Sequence, residues 1–149
     1  MSIHRVLVQP EVFADPRSDM ARRDCLAEIL HKRSLIPVFQ PIIDLRLGGL
    51  IGYEGLIRGP LHGPLHMPVD LFRVAAETGR TTELEILCCQ ILAAQFVALS
   101  LPGKLFLNIS PASLSSRAHE ADLKDDLARY GLAPSDIVFE LTEHSALDS

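Results

Sequence analysis

Hydrophobic positions along the chain follow two different periods. Four short runs are rich in branched apolar residues and have the length of β-strands: 36–43, 50–58, 105–110 and 137–142. Elsewhere apolar residues recur three or four positions apart. This spacing predicts helices over 21–33, 69–78, from 82 to just before Pro102, and over a stretch that ends at Gly131. Strands that alternate with helices in this way predict an α/β fold with a largely parallel sheet.

Local signals mark the boundaries of these elements. Gly48-Gly49 predicts a turn that joins the first two strands as a hairpin-like pair. Thr82 and Glu85 form a predicted capping box at the start of the third helix. Residues 1–22 are expected to form an N-terminal arm, because their first part is mixed in composition and contains prolines.

Polar side chains interrupt the predicted strands, although a buried parallel strand is normally apolar throughout. Those that alternate along one strand share a face, since every second residue points the same way. A carboxylate inside a sheet is unfavourable unless it is paired or binds a metal. The first strand carries Gln40, the second Glu54 and Arg58, the third Asn108 and Ser110, and the fourth Glu140 and Thr142.

Glu54, Asn108 and Glu140 together offer two carboxylates and an amide oxygen, which is a hard oxygen set. Such sets suit Mg²⁺ or Mn²⁺ better than zinc. In α/β proteins, sites form at the carboxyl ends of strands, where these residues are expected to lie. For any one of them alone, a hydrogen-bonded core position or a solvated face is the simpler interpretation. Their recurrence on several strands favours a site, but periodicity by itself leaves the two interpretations about even.

The composition is that of an ordinary globular protein, with 48% hydrophobic and 22% charged residues. A net charge of -5 and the lack of a basic run argue against binding a nucleic-acid polymer. Three cysteines without a C-x-x-C pair favour neither a disulfide framework nor a zinc site. Cys88 and Cys89 are expected to be core thiols of a cytoplasmic protein. We expect no signal peptide and no membrane span.

Five segments of the chain, in order and at matching spacing, resemble the motifs of the EAL domain family. Residues 39–45 read F-Q-P-I-I-D-L and residues 51–58 read I-G-Y-E-G-L-I-R, which is similar to the opening strand pair of that family. The later segments are A-E-T-G at 76–79, L-N-I-S at 107–110 followed by Leu114, and F-E-L-T-E at 139–143. Each motif alone is weak, whereas several in register indicate homology from about residue 23 to the end.

The resemblance implies a variant TIM barrel, a (β/α)8 barrel in which an early strand runs antiparallel to its neighbours. It also implies hydrolysis of cyclic di-GMP to the linear dinucleotide pGpG with Mg²⁺ or Mn²⁺. Carried over by position, Glu54, Asn108 and Glu140 would be metal ligands, with Glu54 as a catalytic residue. Contacts to the nucleotide would come from Gln40, Leu56 and Arg58, the last of these to a phosphate.

The sequence departs from the family pattern in three places. Gly55 stands where the name-giving motif has alanine, and Arg58-Gly59-Pro60 replaces the more usual arginine-tryptophan. The family also continues with a D-D-F-G-x-G segment, a lysine near the catalytic water and further acidic ligands, none of which precedes Ser149. We therefore expect residues 23–149 to be a partial EAL domain without its C-terminal half, inactive alone. Its open sheet edge would pair with the missing half or with a second copy.

Three functions stay open at this point. In the first, the chain is half of a working phosphodiesterase in a longer protein with other signalling domains. In the second, it is a degenerate EAL domain that senses the nucleotide or a protein partner without hydrolysis. In the third, it is a structural piece. The retained Glu54, Asn108 and Glu140 favour the first. Other polar residues are given ordinary roles: His62 and His66 as surface-loop histidines, and Glu83 and Glu85 on a solvated helix face.

Overall fold

The computed structural model describes residues 16–115 and 117–142. Its elements, in chain order, are α1 (Pro16–Lys32), β1 (Ile36–Ile43), β2 (Leu50–Arg58), α2 (Pro68–Glu77), α3 (Thr81–Ala98), β3 (Lys104–Ile109), α4 (Pro111–Leu114), α5 (Arg117–Arg129), a 3-10 turn (Pro134–Asp136) and β4 (Ile137–Leu141). The four predicted strands and the predicted helices are all present, with ends that differ by a few residues at most.

The four strands form one sheet in the order β1-β2-β3-β4. β1 runs antiparallel to β2, whereas β2, β3 and β4 are mutually parallel. The turn between β1 and β2 is held by Asp44, whose carboxylate accepts hydrogen bonds from the Arg46 and Leu47 N–H groups at 2.7 and 3.3 Å. Gly48 follows with a φ of 66°, a conformation that glycine adopts without strain. The predicted α/β fold with an early antiparallel strand is therefore confirmed.

Two predictions about helix starts need correction. α1 begins at Pro16 rather than near Ala21, so residues 16–22 of the expected N-terminal arm belong to this helix, and residues 1–15 lie outside the described residues. The predicted capping box is wrong. Arg80 is the N-cap of α3 and has no capping side-chain hydrogen bond, while Glu85 is turned into the protein. A Thr-x-x-Glu pattern is ambiguous because the same spacing also places two residues on one helix face.

One face of the sheet packs against the helices and forms the core. Leu105, Leu107 and Ile109 of β3 are fully buried on this face, together with apolar residues of α1, α2, α3 and α5. Gly55 lies on the same face. A Cβ atom there would come within 2.9 Å of the Leu92 side chain, so the missing methyl group is compensated by leucine packing. Within residues 16–115 and 117–142, no element covers the opposite face of the sheet, which holds half-buried side chains such as Glu54 and Asn108.

Helix α3 is the central helix of this core. Among the described residues it is also the one helix whose length and hydropathy would suffice to cross a membrane, although 44% of it is buried inside the protein. A buried carboxylate, Glu85, lies in its second turn. A core helix of a globular domain accounts for the same apolar pattern, and the expected absence of a membrane span stays a prediction.

The cysteines differ in accessibility, which gives a first prediction. Burial, and next the Glu28 carboxylate, raise the pKa of the half-buried Cys25. Burial raises the pKa of Cys89 to about 12 and that of Cys88 well above its ordinary value. Because only the thiolate is nucleophilic, Cys88 and Cys89 should not react with Ellman's reagent at pH 8 in the folded protein. Cys25 should react slowly and all three rapidly in denaturant, and a Cys25→Ser variant should lose the slow native reaction. Rapid native labelling of more than one thiol would contradict the packing of α3.

Candidate functional site on the open face of the sheet

Glu54 and Asn108 meet on the open face of the sheet. Asn108 is the fifth residue of β3, and its Nδ2 donates a 2.8 Å hydrogen bond to Oε1 of Glu54 in the middle of β2. Both side chains are half-buried. The alternation that buries Leu107 and Ile109 against the helices turns Asn108 the other way. The packing of the core thus fixes on which side this polar pair lies.

Glu140 and Gln40 extend this pair into a row across the sheet. Glu140 is the register partner of Asn108 on the adjacent parallel strand β4, and Gln40 is the register partner of Glu54 on β1. Register partners point to the same face, and neighbouring strands lie about 4.8 Å apart. By register, Gln40, Glu54, Asn108 and Glu140 therefore lie on one face of the sheet. Their functional roles stay predictions.

A cleft of about 390 Å³ opens beside this row at the carboxyl ends of the parallel strands. Its strand wall includes Leu56, Arg58 and Asn108, and its helix wall comes from α2 and α3. The Arg58 guanidinium donates to the Ile57 carbonyl oxygen at 3.0 Å and is half-buried. Of the six predicted site residues, Leu56, Arg58 and Asn108 line this cleft, whereas Gln40, Glu54 and Glu140 lie outside its described lining. The remaining described wall consists of Gly55, Ile57, Pro68, Val69, Phe72, Cys88, Leu92 and Thr142.

The predicted metal ligands fit a hard cation by chemistry but do not form a complete cage. Within residues 16–115 and 117–142, no group of three histidine, cysteine, aspartate or glutamate side chains is close enough to hold one ion. The available set is two carboxylates and one amide. Mg²⁺ favours six oxygen ligands and usually keeps several waters. Glu54, Asn108 and Glu140 could therefore supply part of a coordination shell and would leave the rest to water or to further ligands.

Glu85, which was expected on a solvated surface, is buried on the helix side of the sheet and binds the segment that follows Asn108. Glu85 of α3 is 1% exposed. Its Oε2 accepts hydrogen bonds from the Ser110 N–H at 3.2 Å, from the Ser110 hydroxyl at 2.8 Å, and from the Ser113 hydroxyl. A buried carboxylate needs such donors, because an unsatisfied charge in the core is strongly unfavourable. The expectation of a solvated Glu85 was wrong.

Ser110 belongs to this network and not to the row of polar residues on the open face. β3 ends at Ile109, so strand alternation no longer controls the direction of the next side chain. Ser110 is instead the N-cap of α4. Its hydroxyl accepts from the Ser113 N–H at 3.4 Å while it donates to Glu85. The prediction that Asn108 and Ser110 share a face is therefore wrong, because the strand ends one residue before Ser110.

The loop of residues 59–67 between β2 and α2 is more ordered than its glycines and prolines suggest. Gly59 is buried, and a Cβ atom on it would lie 1.9 Å from the Leu65 carbonyl oxygen, so this loop accepts no side chain at that position. His66 was expected to be a surface histidine, but it is half-buried and its Nδ1 lies 2.9 Å from the Gly59 carbonyl oxygen. His62 is exposed, as expected.

Comparison with known proteins assigns the chain to a family. A family model described as the EAL domain matches residues 22–149. Because that match covers most of the chain, the chain belongs to the EAL domain family. The motif at residues 51–58 lies within β2, and those at 39–45 and 107–110 begin in β1 and β3 and continue just past the ends of these strands.

Relatives with names or solved structures agree with this assignment. The chain is 28% identical to the cyclic di-GMP phosphodiesterase RocR of Pseudomonas aeruginosa, over 95% of this chain and 40% of RocR. It resembles the Xanthomonas citri FimX EAL domain, solved in complex with c-diGMP, with a TM-score of 0.73 and 20% identity over 85% of this chain and 51% of that one. It also resembles the Pseudomonas aeruginosa FimX EAL domain bound to c-di-GMP, with a TM-score of 0.67 and 27% identity over 80% of this chain and 49% of that one.

The chain therefore spans less than half of RocR and about half of each of these EAL domains. The fold is that of the N-terminal portion of a TIM-like barrel, as the sequence predicted. The uncovered face of the sheet is the face that carries the polar row.

The Glu85 network gives a stability prediction with a matched control on the same helix. Glu85→Ala should lower the free energy of unfolding by about 2–4 kcal/mol, because the buried Ser113 hydroxyl and the two donors of half-buried Ser110 lose their acceptor. Glu83→Ala removes an exposed carboxylate that pairs with Arg80 at 2.7 Å, and it should change stability by less than about 1 kcal/mol. Urea denaturation followed by circular dichroism measures both. Equal effects of the two substitutions would show that the buried carboxylate does not stabilise the fold.

Proposed function

We propose that the chain is the N-terminal half of a cyclic di-GMP phosphodiesterase module that hydrolyses the cyclic dinucleotide to linear pGpG. The observation that carries this proposal is the polar row of Glu54, Asn108 and Glu140 on one face of adjacent strands, at the positions of the EAL motifs. A sheet that buries apolar residues on its other face has no packing reason to place two carboxylates and an amide together. The named relative RocR is a cyclic di-GMP phosphodiesterase, which supports the same substrate.

Each residue has a distinct role in this proposal. EAL phosphodiesterases are in general metal-dependent, and here Mg²⁺ or Mn²⁺ would polarise a phosphoryl oxygen and lower the pKa of the attacking water. Glu54, Asn108 and Glu140 would hold the ion. Asn108 also orients Glu54 through its amide N–H, which reduces the freedom of the carboxylate before any ion arrives.

The nucleotide would lie along the same face. Arg58 would turn from the Ile57 carbonyl oxygen to a phosphate, since a guanidinium binds phosphate oxygens more strongly than a neutral carbonyl. Leu56 gives the cleft an apolar surface on which a guanine base can pack. Gln40, exposed across from Glu54, would reach the nucleotide from the β1 side.

A second candidate function is a non-catalytic sensor of cyclic di-GMP. It is favoured by one observation: the described part of the chain offers the ion only two carboxylates and one amide. A domain that binds the dinucleotide through Arg58 and the apolar cleft wall does not need a complete metal cage. The two functions share the ligand and differ in whether a phosphodiester bond breaks.

The surroundings of the module follow from the same proposal. We infer a cytoplasmic location and a longer chain that carries other signalling domains. β1 and β4 are the edges of the sheet, and unpaired strand edges bind further strands readily. The other half of the barrel, or a second copy of the chain, would pair with these edges.

The chain of 149 residues is predicted to be inactive by itself. The 149-residue chain should not hydrolyse cyclic di-GMP at a useful rate with excess Mg²⁺ or Mn²⁺. A two-metal displacement has to stabilise both the attacking and the leaving oxygen, and the described ligands suffice for part of one shell. Chromatography of the products detects pGpG. Activity should appear when the remaining half of an EAL barrel is supplied, and it should disappear again with Glu54→Ala. Turnover by the short chain that Glu54→Ala abolishes would refute the prediction.

Metal binding tests the polar row without any need for turnover. Mn²⁺ should bind weakly to the chain, and Glu54→Gln should weaken that binding by about tenfold or more, because the variant loses a charged oxygen ligand. Glu77→Gln, on the exposed surface of α2, is the matched control and should bind Mn²⁺ as the parent chain does. Electron paramagnetic resonance of free Mn²⁺ measures both. If the two variants bind alike, the row is not a metal site.

A further inference from the structure

The loop between β2 and α2 is closed by hydrogen bonds between its two ends. The Gly59 N–H donates to the His66 carbonyl oxygen at 2.9 Å, and the His66 ring meets the Gly59 carbonyl oxygen at 2.9 Å. Inside this ring the Gly63 N–H donates to the Pro60 carbonyl oxygen at 3.1 Å, and the His66 N–H to that of Gly63 at 3.3 Å. We call the paired ends, Gly59 and His66, the clasp.

The chemistry of the clasp fixes the protonation of the His66 ring. A carbonyl oxygen only accepts hydrogen bonds, so Nδ1 of His66 must carry the proton. Both the neutral Nδ1–H tautomer and the imidazolium meet this condition, so the clasp does not require charge. The partner position is equally restricted, because any Cβ atom at residue 59 would collide with the Leu65 carbonyl oxygen at 1.9 Å.

The clasp lies between the two walls of the cleft. Arg58 on the strand wall directly precedes Gly59, and Pro68 on the helix wall follows two residues after His66. Leu65, fully buried, anchors the loop in the core between them. Closing the loop therefore sets the separation of the end of β2 from the start of α2, and with it the width of the cleft beside Arg58.

We propose that His66 is a positioning residue for cyclic di-GMP binding. Its hydrogen bond to Gly59 would hold Arg58 and the start of α2 at the separation that the ligand requires. This proposal rests on the proposed function of the cleft. His66 does not line the cleft in the structure, so it acts through Arg58 and α2 and not by touching the ligand.

Isothermal titration of the chain with cyclic di-GMP tests this role. His66→Ala removes the ring donor and should raise the dissociation constant by about 3- to 10-fold, the effect expected from one lost hydrogen bond. His66→Asn keeps an N–H group at the position of Nδ1 and should bind within about twofold of the parent chain. His62→Asn changes an exposed histidine of the same loop and should have no effect. Parent-like binding by a folded His66→Ala variant would overturn the proposal, as would failure of His66→Asn to restore it.

A measurement without ligand separates this proposal from the function on which it rests. Nitrogen-15 NMR should show the Nδ1–H tautomer or the imidazolium for His66, and the Arg58 side-chain signals should shift in His66→Ala but return in His66→Asn. If the parent chain binds no cyclic di-GMP, this half of the module does not suffice for binding, and these spectra decide the positioning role alone. An Nε2–H tautomer, or Arg58 signals that ignore the alanine substitution, would overturn it.

Discussion

The packing of one sheet face against α3 is the constraint on which the rest of the structure depends. Leu105, Leu107 and Ile109 are fully buried on that face, and Leu92 fills the space above Gly55. Because strand side chains alternate with a period of two, this burial sends the intervening residues to the other face. A slip of one residue would bury Asn108 among the helices and expose the leucines. The position of the polar row is thus a consequence of core packing.

The same constraint explains what the sequence could predict. Strands and their faces are local properties, visible in the branched residues of 36–43 and in the alternation along 105–109, and the structure reproduces them. The meeting of Glu54 and Asn108 joins residues 54 positions apart. Alternation grouped the polar residues within each strand, whereas the pairing of β2 with β3 that brings these two side chains together is a long-range contact that periodicity does not report.

The failures are equally physical. Glu85 stands three residues after Thr82, which is the local signature of a cap, but its hydrogen-bond partners Ser110 and Ser113 are 25 and 28 residues away in sequence. No short-range pattern reports a partner at that distance. His66 was misjudged for a similar reason, since a loop rich in glycine and proline looks exposed until Leu65 is found in the core. In both cases a tertiary contact overrode an ordinary local interpretation.

Glu85 and His66 each hold the segment of chain that follows a polar residue of the open face. Asn108 is held by Glu54 on its own face, and two residues later Ser110 is held by Glu85 on the opposite face. Arg58 stands likewise between the β1–β2 pairing and the closed loop that begins at Gly59. Asn108 and Arg58 are therefore each followed by a hydrogen-bonded segment, although no described residue covers the open face itself. A site gains affinity when its groups are ordered before the ligand arrives, because less conformational entropy is lost on binding. The contacts that order these groups are made by Glu85 on the helix side of the sheet and by His66 in the loop after β2. They do not depend on residues that would cover the open face.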